Sequence, residues 1–212
     1  NALELDGVQI IDPALEPERT KKYAQSLYEK RQRRGVTLTE AVKLMRDRNY
    51  FGSSMVEFGE ADAMVSGLTK NYATTIKPAL QIIGTEEGVS RVAGMYMMMT
   101  EKGPVFFGDT TVNVDPTAEE LVDLTLLLEK SVRKFNITPR IALLSYSNFG
   151  SNEGIIPEKT RKAVKILHEK HPDIIVDGEM QGNFAINNAM LKDNFPFSSL
   201  AEAPANTLVF PN

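Results

Sequence analysis

The sequence predicts an α/β fold built on a mostly parallel sheet. Short apolar runs rich in β-branched residues alternate along the chain with stretches of helical period. The clearest of those stretches, residues 117–134, follows Asp115-Pro116 and carries leucines at 121, 124, 127 and 128. Two hydroxyl-rich polar turns, starting at Ser66 and at Ser145, come directly after apolar runs, as strand-to-helix turns do.

Taken in order, residues 8–11 are a β-branched run closed by Asp12-Pro13, which predicts a strand and a turn. Residues 17–34 predict a helix with Tyr23, Leu27 and Tyr28 on one face. Its basic end, Lys30-Arg31 and Arg33-Arg34, suits the helix dipole, and Gly35 suits the stop. Thr37 and Glu40 have capping-box spacing for a second helix reaching Arg48. Residues 63–65 predict a short buried strand, and residues 73–83 a helix kinked by Pro78. Residues 92–100 and 105–112 predict a strand pair around Lys102-Gly103-Pro104. After the leucine helix come a strand at 140–145, a helix at 157–170, a strand at 174–176, a helix at 182–191 and a last strand at 207–210.

Composition removes several classes of function. A chain of 212 residues that is 42% hydrophobic can bury a core without staples, and it has no cysteine. That excludes disulfide scaffolds, thiolate metal sites, iron–sulfur clusters and cysteine nucleophiles. A net charge of -4, from 24 Lys+Arg against 28 Asp+Glu, argues against nucleic acid as a partner. The longest apolar stretch, residues 92–99, is far short of the roughly 20 residues a membrane helix needs, so no membrane is expected. A cytoplasmic setting fits this composition.

No dinucleotide or Walker A signature is present. The two histidines, in His168-Glu169-Lys170-His171, lack metalloprotease spacing and read as a helix end. Asp177-Gly178-Glu179 has the oxygens for a hard cation, but one short acidic loop does not make a site, so no metal is expected here. The two polar turns carry more. Small residues and hydroxyls at the carboxyl ends of parallel strands suit phosphate or carbonyl oxygens, because backbone N–H groups can approach closely there. Arg31, Arg33 and Arg34 beside Lys30 form a local basic cluster, and Lys77 adds a charge near the first turn in sequence. Met95, Met97, Met98 and Met99 predict a strand filling a core or a subunit seam.

Several blocks, in order, resemble the phosphate acetyl/butyryltransferase family over nearly the whole chain. They are Tyr50-Phe51-Gly52, Gly59-Glu60-Ala61-Asp62-Ala63-Met64-Val65-Ser66-Gly67, Lys77-Pro78-Ala79-Leu80-Gln81-Ile82-Ile83, Phe107-Gly108-Asp109-Thr110-Thr111-Val112-Asn113, Pro116-Thr117-Ala118-Glu119-Glu120-Leu121 and Val176-Asp177-Gly178-Glu179-Met180-Gln181. Leu144-Ser145-Tyr146-Ser147-Asn148-Phe149-Gly150-Ser151, Arg48-Asn49-Tyr50-Phe51-Gly52 and Glu179-Met180 resemble one branch, the C-terminal phosphotransacetylase-like domain of hybrid NADP-dependent malic enzymes. The resemblance implies a two-lobed phosphate acetyltransferase fold, similar to isocitrate and isopropylmalate dehydrogenases. It puts residues 1–86 in a truncated first α/β lobe and residues 87–212 in a second lobe with the dimer seam. It implies a regulatory domain that binds acetyl-CoA, or acetyl phosphate, as effector of a malate-decarboxylating parent. NADP and divalent Mg or Mn would belong to an N-terminal malic enzyme half, leaving no cofactor here.

Two other functions stay open under that resemblance: a phosphate acetyltransferase, and a structural dimerisation module. The effector residues it implies are Arg31, Ser66, Gly67, Thr69, Lys77, Ser145, Ser147 and Ser151. Lys77 stands where the family has an arginine, which keeps the charge and loses the planar bidentate fork. The family's own Ser-Arg pair and its thiol-deprotonating Asp fall beyond Asn212. No catalytic residue, and no catalysis by this stretch alone, is therefore expected.

Overall fold

A computed structural model describes residues 6–87, 89 and 91–212. The chain divides into two compact units, Asn1–Glu87 and Gly88–Asn212.

Among its described residues the first unit is helical: α1 (Pro17–Arg31), α2 (Leu38–Leu44), α3 (Arg48–Glu57) and α4 (Tyr72–Ile82), with 3-10 turns at Pro13–Leu15 and Gln32–Arg34. Local chemistry sets the ends. Thr37, Asp47 and Asn71 each accept a backbone N–H in the first turn of α2, α3 and α4, which satisfies donors that a helix start leaves unpaired. Gly35 leaves the basic end of α1 in the left-handed region. Tyr23 and Leu27 of α1 pack with Ala41, Met45, Tyr50, Phe51 and Ile82 to make the core. Lys30, although exposed, acts as a tie. Its ammonium pairs with Glu57 and donates to the Ile82 carbonyl at 2.6 Å, fastening α1 to α3 and α4.

Two expectations fail in this unit. Residues 8–11 and 63–65 are irregular rather than strands, with Val8, Ile10 and Val65 at 59%, 81% and 101% exposure. A strand needs a partner for its backbone groups, and no described residue of this unit supplies one. The helix over Arg48–Glu57 is the converse miss. Its Gly52, Ser53 and Ser54 are poor helix formers by themselves, but small side chains are what this packing admits. A Cβ on Gly52 would lie 3.0 Å from Met64 Sδ.

The second unit holds a mixed five-stranded sheet, ordered β1 (Met95–Thr100), β2 (Gly103–Gly108), β5 (Thr207–Val209), β3 (Ile141–Leu144), β4 (Val176–Met180). The β1–β2 pair is an antiparallel hairpin; β2, β5, β3 and β4 run parallel. Ile141 and Leu143 of β3 face α5 (Ala118–Arg133) and α6 (Ile155–Lys170) in one core. Ala142 and Leu144 face the opposite layer, with Ala185 of α7 (Gly182–Ile186) and Leu191 of α8 (Asn188–Asn194). This two-sided burial is why β3 reads as an unbroken apolar run. The leucine helix starts as α5 with a full capping box between Thr117 and Glu120. Two details differ from expectation. The 182–191 helix is two short helices, broken at Asn187. β4 begins at Val176 and runs through the acidic triplet, so Asp177-Gly178-Glu179 is strand rather than loop. Both acids are buried and accept hydrogen bonds, which offsets part of the penalty for burying charge in a strand. Met97, Met98 and Met99 on edge strand β1 are 44–73% exposed in the single chain and fill no core within it.

Candidate functional site

The predicted residues fall into two groups, one in each unit. In the first unit, Ser66, Gly67 and Thr69 lie on the irregular segment before α4. Gly67 has φ +141°, and a Cβ there would meet nothing within 4 Å, so the backbone lies open to solvent. Two residues of α3 hold this segment: Ser66 donates its hydroxyl to Asn49 Oδ1 at 2.6 Å, and Arg48 Nη2 donates to Thr69 Oγ1 at 3.0 Å. Lys70 pairs with Asp47, the cap of α3. Burial raises the Asp47 carboxyl's pKa, but the Lys70 ammonium and the Asn49 amide outweigh it and leave it below the ordinary value.

Lys77, in α4, is exposed and has no ion-pair partner among the described residues. Arg31 ends α1. It is half-buried, its Nε meets no acceptor, and no described carboxylate pairs with it. The basic run is thus divided by role, with Lys30 committed to the fold and Arg31 unmatched. A half-buried guanidinium without a counter-ion suits an anionic ligand.

In the second unit the serines do come together. The loop 145–152 leaves β3 and leads into α6. Ser147 N donates to Ser145 Oγ at 3.2 Å, Asn148 N donates to Ser151 Oγ at 2.9 Å, and the Ser147 and Ser151 oxygens are 3.4 Å apart. Ser145 accepts and keeps a hydroxyl hydrogen to give a ligand oxygen. Ser147 differs. It is fully buried, and its hydroxyl is donated to Glu179 Oε1 at 2.7 Å, so in this structure it braces the loop.

Glu179 is the residue the sequence reading missed. It is fully buried in β4, and Oε1 accepts from three donors: Ser147 Oγ, Gly150 N at 2.9 Å and Arg161 Nη1 at 2.8 Å. Oε2 meets no donor among the described residues. Leaving a buried acceptor unmatched costs about 1–3 kcal/mol. Further bonds join this loop to the end of β4: Ser145 N to Met180 O and Phe149 N to Glu179 O, both at 2.9 Å, and Gln181 N to Asn148 Oδ1 at 2.8 Å. Asp177, by contrast, has both oxygens matched, accepting from Ser198 Oγ at 2.7 Å, Ser199 N and Gly178 N. Among the described residues no group of three or more His, Cys, Asp or Glu is placed to hold a metal, and no helix is long and apolar enough to cross a membrane. The available signal for Glu179 was an acid flanked by apolar residues at 176 and 180, which is a strand pattern as much as a loop.

The topology singles out this place. β3 connects through α6 on one face of the sheet, and β4 connects through α7 on the other. Such a divergence opens a crevice at the carboxyl ends of the two strands, where open α/β sheets bind ligands. The serine loop and Glu179 lie at the carboxyl ends of β3 and β4.

Comparison with known proteins decides the family. The family described as phosphate acetyl/butaryl transferase matches residues 1–212. The chain belongs to this family. Over 210 residues it is 39% identical to a phosphate acetyltransferase of Synechocystis sp., covering 99% of the chain and 30% of that relative. It is 36% identical to a phosphate acetyltransferase of Clostridium acetobutylicum, covering 99% of the chain and 65% of that protein. It is also 38% identical to an NADP-dependent malic enzyme of Escherichia coli, covering 96% of the chain and 27% of that enzyme. The chain thus spans 30% of the length of the Synechocystis relative and 27% of that of the E. coli relative. Among solved structures, an EutD phosphotransacetylase from Staphylococcus aureus superposes with a TM-score of 0.82 at 33% identity, over 99% of this chain and 64% of that one. A phosphotransacetylase from Streptococcus pyogenes gives 0.78 at 36% identity, over 92% and 58%. The α/β fold of this family is therefore the fold of the chain. Phosphate acetyltransferases match it as well as malic enzymes do.

Proposed function

We propose that this chain is the coenzyme A- and acyl phosphate-handling part of a phosphate acetyltransferase, which moves an acetyl group between phosphate and the coenzyme A thiol. The observation that carries this reading is the whole-chain match to the family, with named phosphate acetyltransferases at 35–39% identity. The residues suit the chemistry. In the forward sense the thiolate sulfur attacks the acetyl carbonyl, a C–S bond forms, and the C–O bond to phosphate breaks with phosphate leaving as the anion. Negative charge lies on the phosphate throughout, so unmatched cations and hydroxyl donors are what the reaction needs. Arg31, Lys77 and the Ser66–Thr69 segment offer these in the first unit, and Ser145 and Ser151 in the second.

The test is acetyl transfer by the full-length protein carrying this chain, from acetyl phosphate to coenzyme A, followed as thioester formed and phosphate released in equal amounts. Equal, protein-dependent formation of both supports the reading; no thioester above the uncatalysed rate overturns it.

A second reading is favoured by the matches to NADP-dependent malic enzymes at 36–39% identity, and by Lys77 in place of the arginine of the transferase pattern. On that reading the chain binds acetyl-CoA as an effector, with a malate-oxidising domain elsewhere in the protein. Malate oxidation that shifts on adding acetyl-CoA, with no acetyl transfer, would favour it. Self-association belongs to both readings, with a second copy covering the exposed methionines of β1.

A further inference from the structure

We infer that Glu179 is a positioning residue for the ligand-binding loop 145–152, acting through Ser147 and Gly150; this rests on the reading that the chain handles coenzyme A and acyl phosphate. The loop has little else to set its shape. Tyr146, Gly150, Ser151 and Asn152 are exposed, and its polar groups are held chiefly by bonds to one another and to residues 179–181. Phe149 adds an apolar anchor against Phe195 and Phe197.

Within that set Glu179 is the hub. One carboxylate oxygen collects the hydroxyl of Ser147, the amide of Gly150 and the guanidinium of Arg161, from three different points around the loop and α6. A carboxylate is acceptor-only, so three donors can converge on it without a competing hydrogen. The charge of Arg161, itself about one-third exposed, balances it. Binding Ser147 this way also fixes the oxygen that accepts Asn152 N at 3.0 Å, and so the turn carrying Ser151. The hub lies at the carboxyl ends of β3 and β4 yet leaves Ser145 and Ser151 to meet the ligand. Glu179 itself touches no reacting atom in this scheme.

The test is steady-state kinetics of the full-length protein with Glu179→Ala, Glu179→Gln and Ser147→Ala, using coenzyme A and acetyl phosphate as the varied substrates. A positioning role predicts a KM for at least one substrate raised 10-fold or more in Glu179→Ala, and 3- to 10-fold in Ser147→Ala. Glu179→Gln, which keeps the shape and one acceptor, recovers most of that loss. Partial unfolding lowers the active fraction and hence kcat, but leaves KM where it was. A KM within 2-fold of the parent for both substrates in Ser147→Ala overturns the proposal, even if Glu179→Ala fails to fold. A parent protein that neither transfers acetyl nor binds acetyl-CoA by calorimetry removes the underlying reading and this inference with it. An active parent with unmoved KM values removes the inference alone.

Discussion

Ser66 donates its hydroxyl to Asn49 Oδ1 at 2.6 Å, so a residue of the open segment before α4 is tied to a side chain on α3 that is 1% exposed. The bond links a core helix to the place where an anionic ligand is expected. Asn49 Nδ2, on the same amide, is buried and meets no acceptor among the described residues. Replacing Asn49 by alanine removes Ser66's acceptor and leaves a small void. Asn49→Ala should lower the unfolding free energy by about 1–2 kcal/mol in urea denaturation. Amide exchange of residues 66–70 should speed up more than that of the α1 core, because the loss is local.

The first unit should be acid-sensitive. The Tyr23 hydroxyl, then Lys22 and Arg19, hold the Glu60 carboxyl below its ordinary value of 4.5. Asp47 is likewise depressed, as Lys70 and the Asn49 amide outweigh its burial. Both groups bind protons less readily folded than unfolded, so their stabilisation is complete above the unfolded values. It is lost as pH falls through the lower folded ones. Denaturation midpoints should therefore decline as pH falls below about 4.5, and Glu60→Gln with Asp47→Asn should flatten that decline. Equal slopes in parent and double variant would show that the acids responsible lie elsewhere.

How much of this was legible in the sequence depended on whether a segment's neighbours are near in the chain. The leucine helix was readable because its period, its Asp115-Pro116 start and its Thr117–Glu120 cap are all local. β3 was readable because four consecutive apolar residues buried on both faces have few other uses. The apolar residues 63–65 misled because such a run becomes a strand only with a partner, which no local pattern reveals. Glu179 was misread for the opposite reason. Its partners Ser147, Gly150 and Arg161 lie 18–32 residues away, so the bonds that make a buried acid affordable in β4 appear only once β3 and β4 are paired. The serine loop and basic run were visible as chemistry, but the division between Lys30 as tie and Arg31 as unmatched cation needed α3 and α4 in place.

Gly178 shows how tightly β3 and β4 are joined. It has φ +148°, and a Cβ there would lie 2.5 Å from the Leu143 carbonyl oxygen, a backbone atom with no rotamer to yield. Gly178→Ala should therefore destabilise the second unit by at least about 2 kcal/mol in chemical denaturation. The change should also reach the loop 145–152, since Glu179 follows directly. A midpoint within error of the parent's would mean that the strand pair shifts more easily than this contact implies.

Core deletion should behave more simply. Leu128 is 1% exposed and joins α5 to the cluster with Ile141, Leu143 and Val209. Leu128→Ala should cost about 2–5 kcal/mol, the range depending on how far α5 settles onto the sheet. Its kinetics should differ from those of Glu179→Ala, with less active protein and KM unchanged.

Arg31 and Lys77 should separate affinity from stability. Arg31 is half-buried with Nε unmatched and no described carboxylate beside it, so the fold gains little from its charge. Arg31→Ala should leave the denaturation midpoint unchanged or raise it slightly, the direction expected when a residue is kept for binding. The same variant should weaken coenzyme A binding 10-fold or more in calorimetry, and the loss should shrink at high salt as screening reduces the parent's advantage. Lys77→Arg restores the planar fork of the transferase pattern, and should tighten acetyl phosphate binding several-fold where the anion is held through two oxygens. Should Arg31→Ala and Lys77→Ala both bind coenzyme A and acetyl phosphate as the parent does, the cations of the first unit have no part in the site. The serine loop at the ends of β3 and β4 would then have to account for recognition without them.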